Sequence, residues 1–301
     1  MMIVVEGITK YFGNRKALDN VSFEVKDREI AGFVGLNGAG KTTTIRTIVG
    51  VLKPNSGDAL IDGKSIVKEK KEASKNVGWV PELPIFEMDV RALDYFIYLA
   101  GYYGISKDEA LKLGKQLFEE VGLSGRERDK LKNYSQGMKK RFALAVSLIS
   151  NPKNFLFDEV FNGLDPQGIQ FFRDLALKMK KEGKAILFSS HILTEVEAIA
   201  DKVVFIHQGR ILKVMSMNEI RNLIKSNDVK VVLNQVNENV VQIAQAFGKP
   251  ELSGNTLLIH DFNGDVSVLA SKLTPYGILE ISKLGRNLEE VFFKVIRGEL
   301  R

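Results

Sequence analysis

The chain has 301 residues, 45% of them hydrophobic and 27% charged, which suits an ordinary globular protein of one large domain or a large and a small one. It contains no cysteine, which excludes disulfides and thiolate metal sites, and agrees with an intracellular protein. The formal net charge of +6 is read as serving solubility, the run Lys68-Glu69-Lys70-Lys71-Glu72 mixes both signs as a solvated surface segment does, and without an arginine-rich tract or an aromatic RNA-binding motif no nucleic-acid partner is expected. No apolar run approaches the roughly 18 residues of a membrane span; the nearest, Tyr95-Phe96-Ile97-Tyr98-Leu99-Ala100, is far too short, and the amino terminus has no signal-peptide layout.

Residues 2–12 read as a strand, and Val21-Ser22-Phe23-Glu24-Val25-Lys26 alternates apolar and polar residues as a half-buried strand does. Glu29-Ile30-Ala31-Gly32-Phe33-Val34 is a buried strand leading into Gly35-Leu36-Asn37-Gly38-Ala39-Gly40-Lys41-Thr42, which fits the phosphate-binding pattern G-x-x-x-x-G-K-[ST]. Glycines there let backbone N–H groups close around phosphate oxygens. Lys41 is suited to reach the β- and γ-phosphates and the Thr42 hydroxyl to bind Mg²⁺. A helix over 43–49, beginning at Thr43 and stopped by Gly50, puts the loop at a helix N-terminus, where the dipole favours anions.

Turns follow at Pro54-Asn55-Ser56-Gly57 and Asp62-Gly63, and Val77-Gly78-Trp79-Val80 is a short buried strand ending at Pro81. The pattern is helical from about 89 to 150, with strands returning at 155–157 and 185–188. Both of these runs give way to polar residues, and an open α/β sheet gathers its ligands at such carboxyl ends. Residues 202–215 form a hairpin with its turn at Gln208-Gly209. Composition changes near Arg221-Asn222. From Val229 the pattern is strand, helix (240–247), hairpin with Ser253-Gly254-Asn255 at its tip, helix (266–273) and strand (278–282), the order of a ferredoxin-like fold. A last helix covers 288–296. Two domains are expected, 1–221 and 228–301, with the boundary between 220 and 228.

Two further segments carry chemistry. In Phe155-Leu156-Phe157-Asp158-Glu159 a hydrophobic strand delivers two carboxylates to its carboxyl end. Many buried strands end in acidic residues; beside a phosphate loop, Asp158 points to Mg²⁺ and Glu159 to polarising an attacking water. In Tyr134-Ser135-Gln136-Gly137-Met138, followed by the basic helix start Lys139-Lys140-Arg141, a hydroxyl and a glycine at a helix N-terminus can receive an anion. An isolated Ser-x-Gly would be a plain N-cap; its place shortly before Asp158-Glu159 favours function.

Taken together these motifs resemble the ATP-binding cassette family, the ATPase subunits of ABC transporters, over residues 1 to about 220. The resemblance implies a phosphate-loop NTPase α/β core with an antiparallel β subdomain and an α-helical subdomain at about 89–150, plus the small α+β ferredoxin-like domain. Gly35 to Thr42 looks like Walker A, Ser135-Gln136-Gly137 like the signature, Phe155 to Glu159 like Walker B, Gly163-Leu164-Asp165 like the D-loop and His191 like the switch histidine. Phe12 matches the aromatic that stacks on adenine, with Tyr11 as fallback. By resemblance, ATP and Mg²⁺ are the cofactors, with Asp165 and Thr43 in the nucleotide-binding set. Two cassettes, as a homodimer or heterodimer, pack head to tail around ATP, and Ser135 and Gly137 face the partner's nucleotide. A separate integral membrane permease docks near residues 82 and 94–103, which places the chain on the cytoplasmic face of the membrane.

Glu82 stands where the family usually has Gln; it can approach Mg²⁺ but adds negative charge near the phosphates. The Tyr-Ser-x-Gly-Met variant and the tail Leu288-Glu289-Glu290-Val291-Phe292 are similar to cassettes paired with ABC-2 type permeases, mostly exporters. A soluble ABC ATPase acting on ribosomes or DNA is the alternative; a single cassette without a long coiled-coil insertion between Thr42 and Ser135 argues against it. A generic phosphate-loop kinase or GTPase would not explain Ser135, Asp165 and His191 together; against a regulatory nucleotide-binding module with little hydrolysis stands Glu159, while Glu82 leaves that reading open.

Overall fold

In the computed structural model, which describes residues 2–224, 228–284 and 287–300, the chain opens with β1 (Met2–Phe12) and β2 (Arg15–Lys26), an antiparallel pair. Next come β3 (Ile30–Val34), α1 (Lys41–Ile48), β4 (Ser56–Ile61), β5 (Lys64–Ser65), α2 (Lys70–Lys75) and β6 (Val77–Val80). A helical stretch contributes α3 (Ala92–Gly101), α4 (Lys107–Glu120) and α5 (Gln136–Ser147). Then β7 (Asn154–Phe157), α6 (Pro166–Lys181), β8 (Ala185–Ser190), α7 (Leu193–Ile199), β9 (Lys202–His207) and β10 (Arg210–Ser216) complete the first of two units, Met1–Met217.

That unit has two sheets. The antiparallel one runs β2-β1-β4-β5. Alternation along β1 and β2 turns Ile3, Val5, Val21, Phe23 and Val25 inward. The strand β4 crosses β1 so closely that a Cβ on Gly57 (φ +79°) would lie 2.3 Å from the Gly7 carbonyl oxygen, so only glycine fits. The second sheet runs β10-β9-β3-β8-β7-β6, parallel from β9 to β6, with β10 as an antiparallel edge. Its central strands β3, β7 and β8 are buried at every residue, because both faces are covered and no alternation is needed. Between the sheets, Phe23 meets Phe33 at 5.3 Å between ring centroids, and Ile45 and Ile48 of α1 join the same core.

The helical stretch expected over about 89–150 holds α3, α4 and α5, with a 3-10 turn at Leu131–Asn133 before α5. Helix α4 starts with a capping box, in which Ser106 and Glu109 satisfy each other's N–H groups. Phe118 bridges Phe96 (6.0 Å) and Phe142 (5.9 Å), knitting α3, α4 and α5 together. Among the described residues no helix is long and apolar enough to cross a membrane.

The second unit, Asn218–Arg301, contains most of α8 (Met217–Ile224), then β11 (Asp228–Leu233), α9 (Glu238–Gln245), β12 (Lys249–Ser253), β13 (Thr256–His260), α10 (Val266–Leu273), β14 (Ile278–Leu284) and α11 (Leu288–Ile296). Its antiparallel sheet runs β12-β13-β11-β14, the 4-1-3-2 arrangement of a ferredoxin-like fold read from its other edge. Val231, Leu257 and Ile259 of the sheet share a core with Val240 and Ala244 of α9 and Leu269 and Leu273 of α10. The units divide at Met217/Asn218, a few residues before the expected 220–228. The Met217 N–H donates to Asp201 O (2.7 Å) within the first unit, and α8 runs on to Ile224, into the interval where the boundary was expected. Residues 225–227 of that interval lie outside the described residues.

Candidate active site

Three strand ends build the site. In the parallel register, Val34 pairs with Ser190 and Phe157 with Phe188. The chain therefore leaves β3 at Gly35, β7 at Asp158 and β8 at His191 along one edge of the sheet. Gly35 sits so close to β9 that a Cβ would lie 2.4 Å from Ile206 O. Gly40, the N-cap of α1, has φ 113°. The loop is closed by Ala39 N–H donating to Leu36 O (3.0 Å) and Gly209 N–H donating to Ala39 O (2.8 Å). No acidic residue of α1 itself occupies its first turn, where the positive end of the helix dipole favours an anion.

Lys41 is 6% exposed; its Nζ donates to Gly35 O (2.8 Å) and pairs with Glu159 Oε1 at 3.2 Å. The other oxygen, Oε2, accepts from His191 Nδ1 at 2.9 Å, with His191 half exposed. Lysine, carboxylate and histidine thus form one chain across the cleft. Glu159 has a left-handed backbone (φ +47°), uncommon for a residue with a side chain. Its N–H donates to Ser189 Oγ (2.9 Å), and the Ser189 hydroxyl donates to Asp158 Oδ1 (2.8 Å). Thr42 Oγ1 donates to the same carboxylate oxygen at 3.1 Å. Burial pushes the Asp158 carboxyl above its usual range; the hydrogen bonds from Ser189 and Thr42 pull it back, and the charges of Glu159 and Glu82 push it up again.

These groups surround an open cleft of about 560 Å³. Phe12, Asn37, Gly38, Gly40, Lys41, Thr42 and Thr43 line it together with Glu82, Glu159 and His191. Gly35 and Ala39 shape the loop from behind, and Asp158, 1% exposed, touches the cleft through Thr42. Phe12 is about half exposed on the wall, whereas Tyr11, the fallback, is not on it and donates its N–H to Asn55 Oδ1 (2.8 Å). Ser135, Gly137 and Asp165 are not brought to this cleft. Ser135 Oγ accepts from Met138 N–H (3.2 Å) to cap α5, and Asp165 Oδ1 accepts from Gly168 N–H (2.8 Å) to cap α6. Arg15, Ala17 and Asn162 also line the cleft and were not foreseen; Arg15 lies just past the Phe12-Gly13-Asn14 turn, within reach of a reading that followed the aromatic.

Among the described residues no three His, Cys, Asp or Glu side chains form a closed metal cage. Thr42, Asp158 and, on the wall, Glu82 offer only hard oxygens, which suits Mg²⁺ completed by phosphate oxygens and water. Large apolar side chains are exposed at Leu83 and Ile85 in the loop after β6 and at Tyr98 and Tyr102 in and just after α3, each more than half exposed, while Phe96 of α3 is core.

The chain is similar to known proteins in both sequence and fold. The ABC transporter family model matches residues 18–162. The bacitracin transport ATP-binding protein BcrA of Bacillus licheniformis is 33% identical over 303 residues, 99% of this chain and 98% of that protein. The lantibiotic transport ATP-binding protein SrtF of Streptococcus pyogenes is 34% identical over 211 residues, 70% of this chain and 89% of that protein. Among solved structures, the ATP-binding subunit of an ABC transporter superposes with a TM-score of 0.68 at 28% identity, covering 74% of this chain and 93% of the other. A dimeric ATP-binding cassette in a post-hydrolysis state, with ADP and Pi bound, shares the fold (TM-score 0.64, 21% identity, 72% of this chain and 99% of that one).

Proposed function

The chain belongs to the ABC transporter family as an ATP-binding subunit, and on that premise we propose that it hydrolyses ATP in the Lys41–Glu159–His191 cleft to power export through a separate membrane permease. The observation that carries this reading is the Lys41–Glu159–His191 chain beside the Thr42–Asp158 pair, all converging on the positive end of α1.

In this proposal Phe12 stacks on adenine, and the loop N–H groups with Lys41 hold the β- and γ-phosphates. Thr42 and Asp158 would hold Mg²⁺, with Glu82 nearby; when bound, the ion neutralises charge on the phosphate oxygens. Glu159 accepts a proton from the water that attacks the γ-phosphorus in line, giving ADP and phosphate. His191 holds Glu159 in register and contacts the γ-phosphate. Two copies, or this chain and a second cassette, pair so that Ser135 and the neighbouring N–H groups of one meet the γ-phosphate bound by the other, with Asp165 at the seam. Phosphate release removes those bridges, as in other γ-phosphate switches. Leu83, Ile85, Tyr98 and Tyr102 would receive the permease, placing the chain on the cytoplasmic face of the membrane. The signature variant Tyr-Ser-x-Gly-Met, the acidic-aromatic tail, and relatives named for bacitracin and lantibiotic transport support export.

Sedimentation of the purified protein with Mg-ATP, together with phosphate release in the presence of its co-purified membrane partner, tests the reading. Nucleotide-dependent pairing and hydrolysis are expected; a protein that neither pairs nor cleaves ATP in that complex contradicts it.

A further inference from the structure

Lys140 lies in α5, five residues beyond the Ser135 cap, and only 3% of its surface is exposed. Its ammonium donates to three carbonyl oxygens: Glu159 (3.1 Å), Val160 (2.9 Å) and Asn162 (2.6 Å). That uses all three of its hydrogens on one short loop. A lysine is rarely buried without a carboxylate partner, because desolvating the charge is costly. Here burial pushes the ammonium's pKa below the usual lysine range, and the negative charges of Glu82 and Glu159 offset part of that shift. Two of the three tied residues, Glu159 and Asn162, line the cleft.

The position of the tie matters because Glu159 is the residue with the left-handed backbone. Its N–H is fixed by Ser189 and its carbonyl by Lys140, so each side of the strained residue is anchored to a different element, β8 and α5. Without the α5 anchor the loop can relax toward an ordinary backbone conformation, which swings the carboxylate away from Lys41 and His191.

We propose that Lys140 is a positioning residue for hydrolysis: it fixes the Glu159–Asn162 loop in working geometry and joins it rigidly to the helix that Ser135 caps. The proposal rests on Glu159 acting as the base, and it adds a mechanical consequence. Any force that moves the first turn of α5, such as a phosphate engaging Ser135, is passed through Lys140 to the loop carrying the base of the same chain. Lys140 also supplies a buried positive charge facing the extra carboxylate that Glu82 brings to the cleft.

The test compares the full-length protein with Lys140→Met, Lys140→Arg, Lys140→Gln and Glu159→Gln, measuring kcat per nucleotide site, KM for ATP, ATP affinity by calorimetry and thermal unfolding. Lys140→Met is expected to lower kcat about 10- to 100-fold while KM and ATP affinity stay within a few-fold, the signature of a misplaced catalytic group. Lys140→Arg, which keeps the charge and several donors, is expected to recover part of the loss. A purely structural role would reduce the folded fraction and leave kcat per site unchanged. If Lys140→Met does not fold, Lys140→Gln decides by the same kcat measurement. Unchanged kcat per site, with Glu159→Gln inactive, overturns the role of Lys140 and leaves the base intact. Near-normal turnover in Glu159→Gln removes the base and this role with it.

Discussion

Replacing Ser189 with alanine should weaken the protein and its metal affinity at once, through a single oxygen. Ser189 is fully buried, and its hydroxyl serves two partners, donating to Asp158 and accepting from the Glu159 N–H. A hydrogen bond to a charged group contributes about 1.5–3 kcal/mol, and a buried N–H left without a partner costs about 1–3 kcal/mol. With partial relaxation the sum is about 3 kcal/mol, and for a unit of roughly 200 residues each kcal/mol moves the melting temperature by about 2–4 °C. Ser189→Ala is therefore expected to melt about 6–12 °C below the parent in calorimetry. The same change removes a bond that favours the charged form of Asp158, so its carboxyl, already raised by burial, climbs further. The Mg²⁺ concentration for half-maximal hydrolysis should rise accordingly. A variant with unchanged melting temperature and unchanged Mg²⁺ requirement would refute the reasoning, because it would show that neither hydrogen bond matters.

Asp158→Asn should behave in the opposite way in the metal-free protein. The folded carboxyl titrates above its ordinary 3.8, so its favourable contribution is present below that pH and lost as pH rises through the raised value. The variant should melt higher than the parent at pH 7 and lose that advantage in acid, while failing to hydrolyse ATP; a lower melting temperature at pH 7 contradicts this. Lys41→Ala removes the buried partner of Glu159 and should cost about 3–5 kcal/mol of stability as well as weakening ATP binding at least tenfold; unchanged affinity by titration calorimetry contradicts the phosphate-loop assignment.

The parts of the site that were legible are those written in contiguous residues. Gly35 to Thr42 and Phe155 to Glu159 each carry their chemistry within one strand and its exit, and the apolar runs of β3, β7 and β8 announce a sheet covered on both faces. The second unit was legible in its succession of strand, helix, hairpin, helix and strand, which is that of a ferredoxin-like fold. Ser189 was visible only as a neighbour of His191; its link to Asp158 and Glu159 depends on the parallel register of β7 against β8, which local pattern does not encode. Lys140 read as one of three basic residues opening a helix, and only the packing of α5 turns it inward while Lys139 and Arg141 stay more exposed. The strand β4 was hidden between two turns, because it opens with Ser56-Gly57-Asp58 and has only Ala59-Leu60-Ile61 as an apolar run.

The central claim is that Glu159 accepts the proton from the water that attacks ATP held by Lys41. Steady-state phosphate release by Glu159→Gln, with ATP affinity measured on the same sample, tests it most directly. Turnover is expected to fall about 10²- to 10⁴-fold with binding intact, whereas turnover near that of the parent would contradict the assignment.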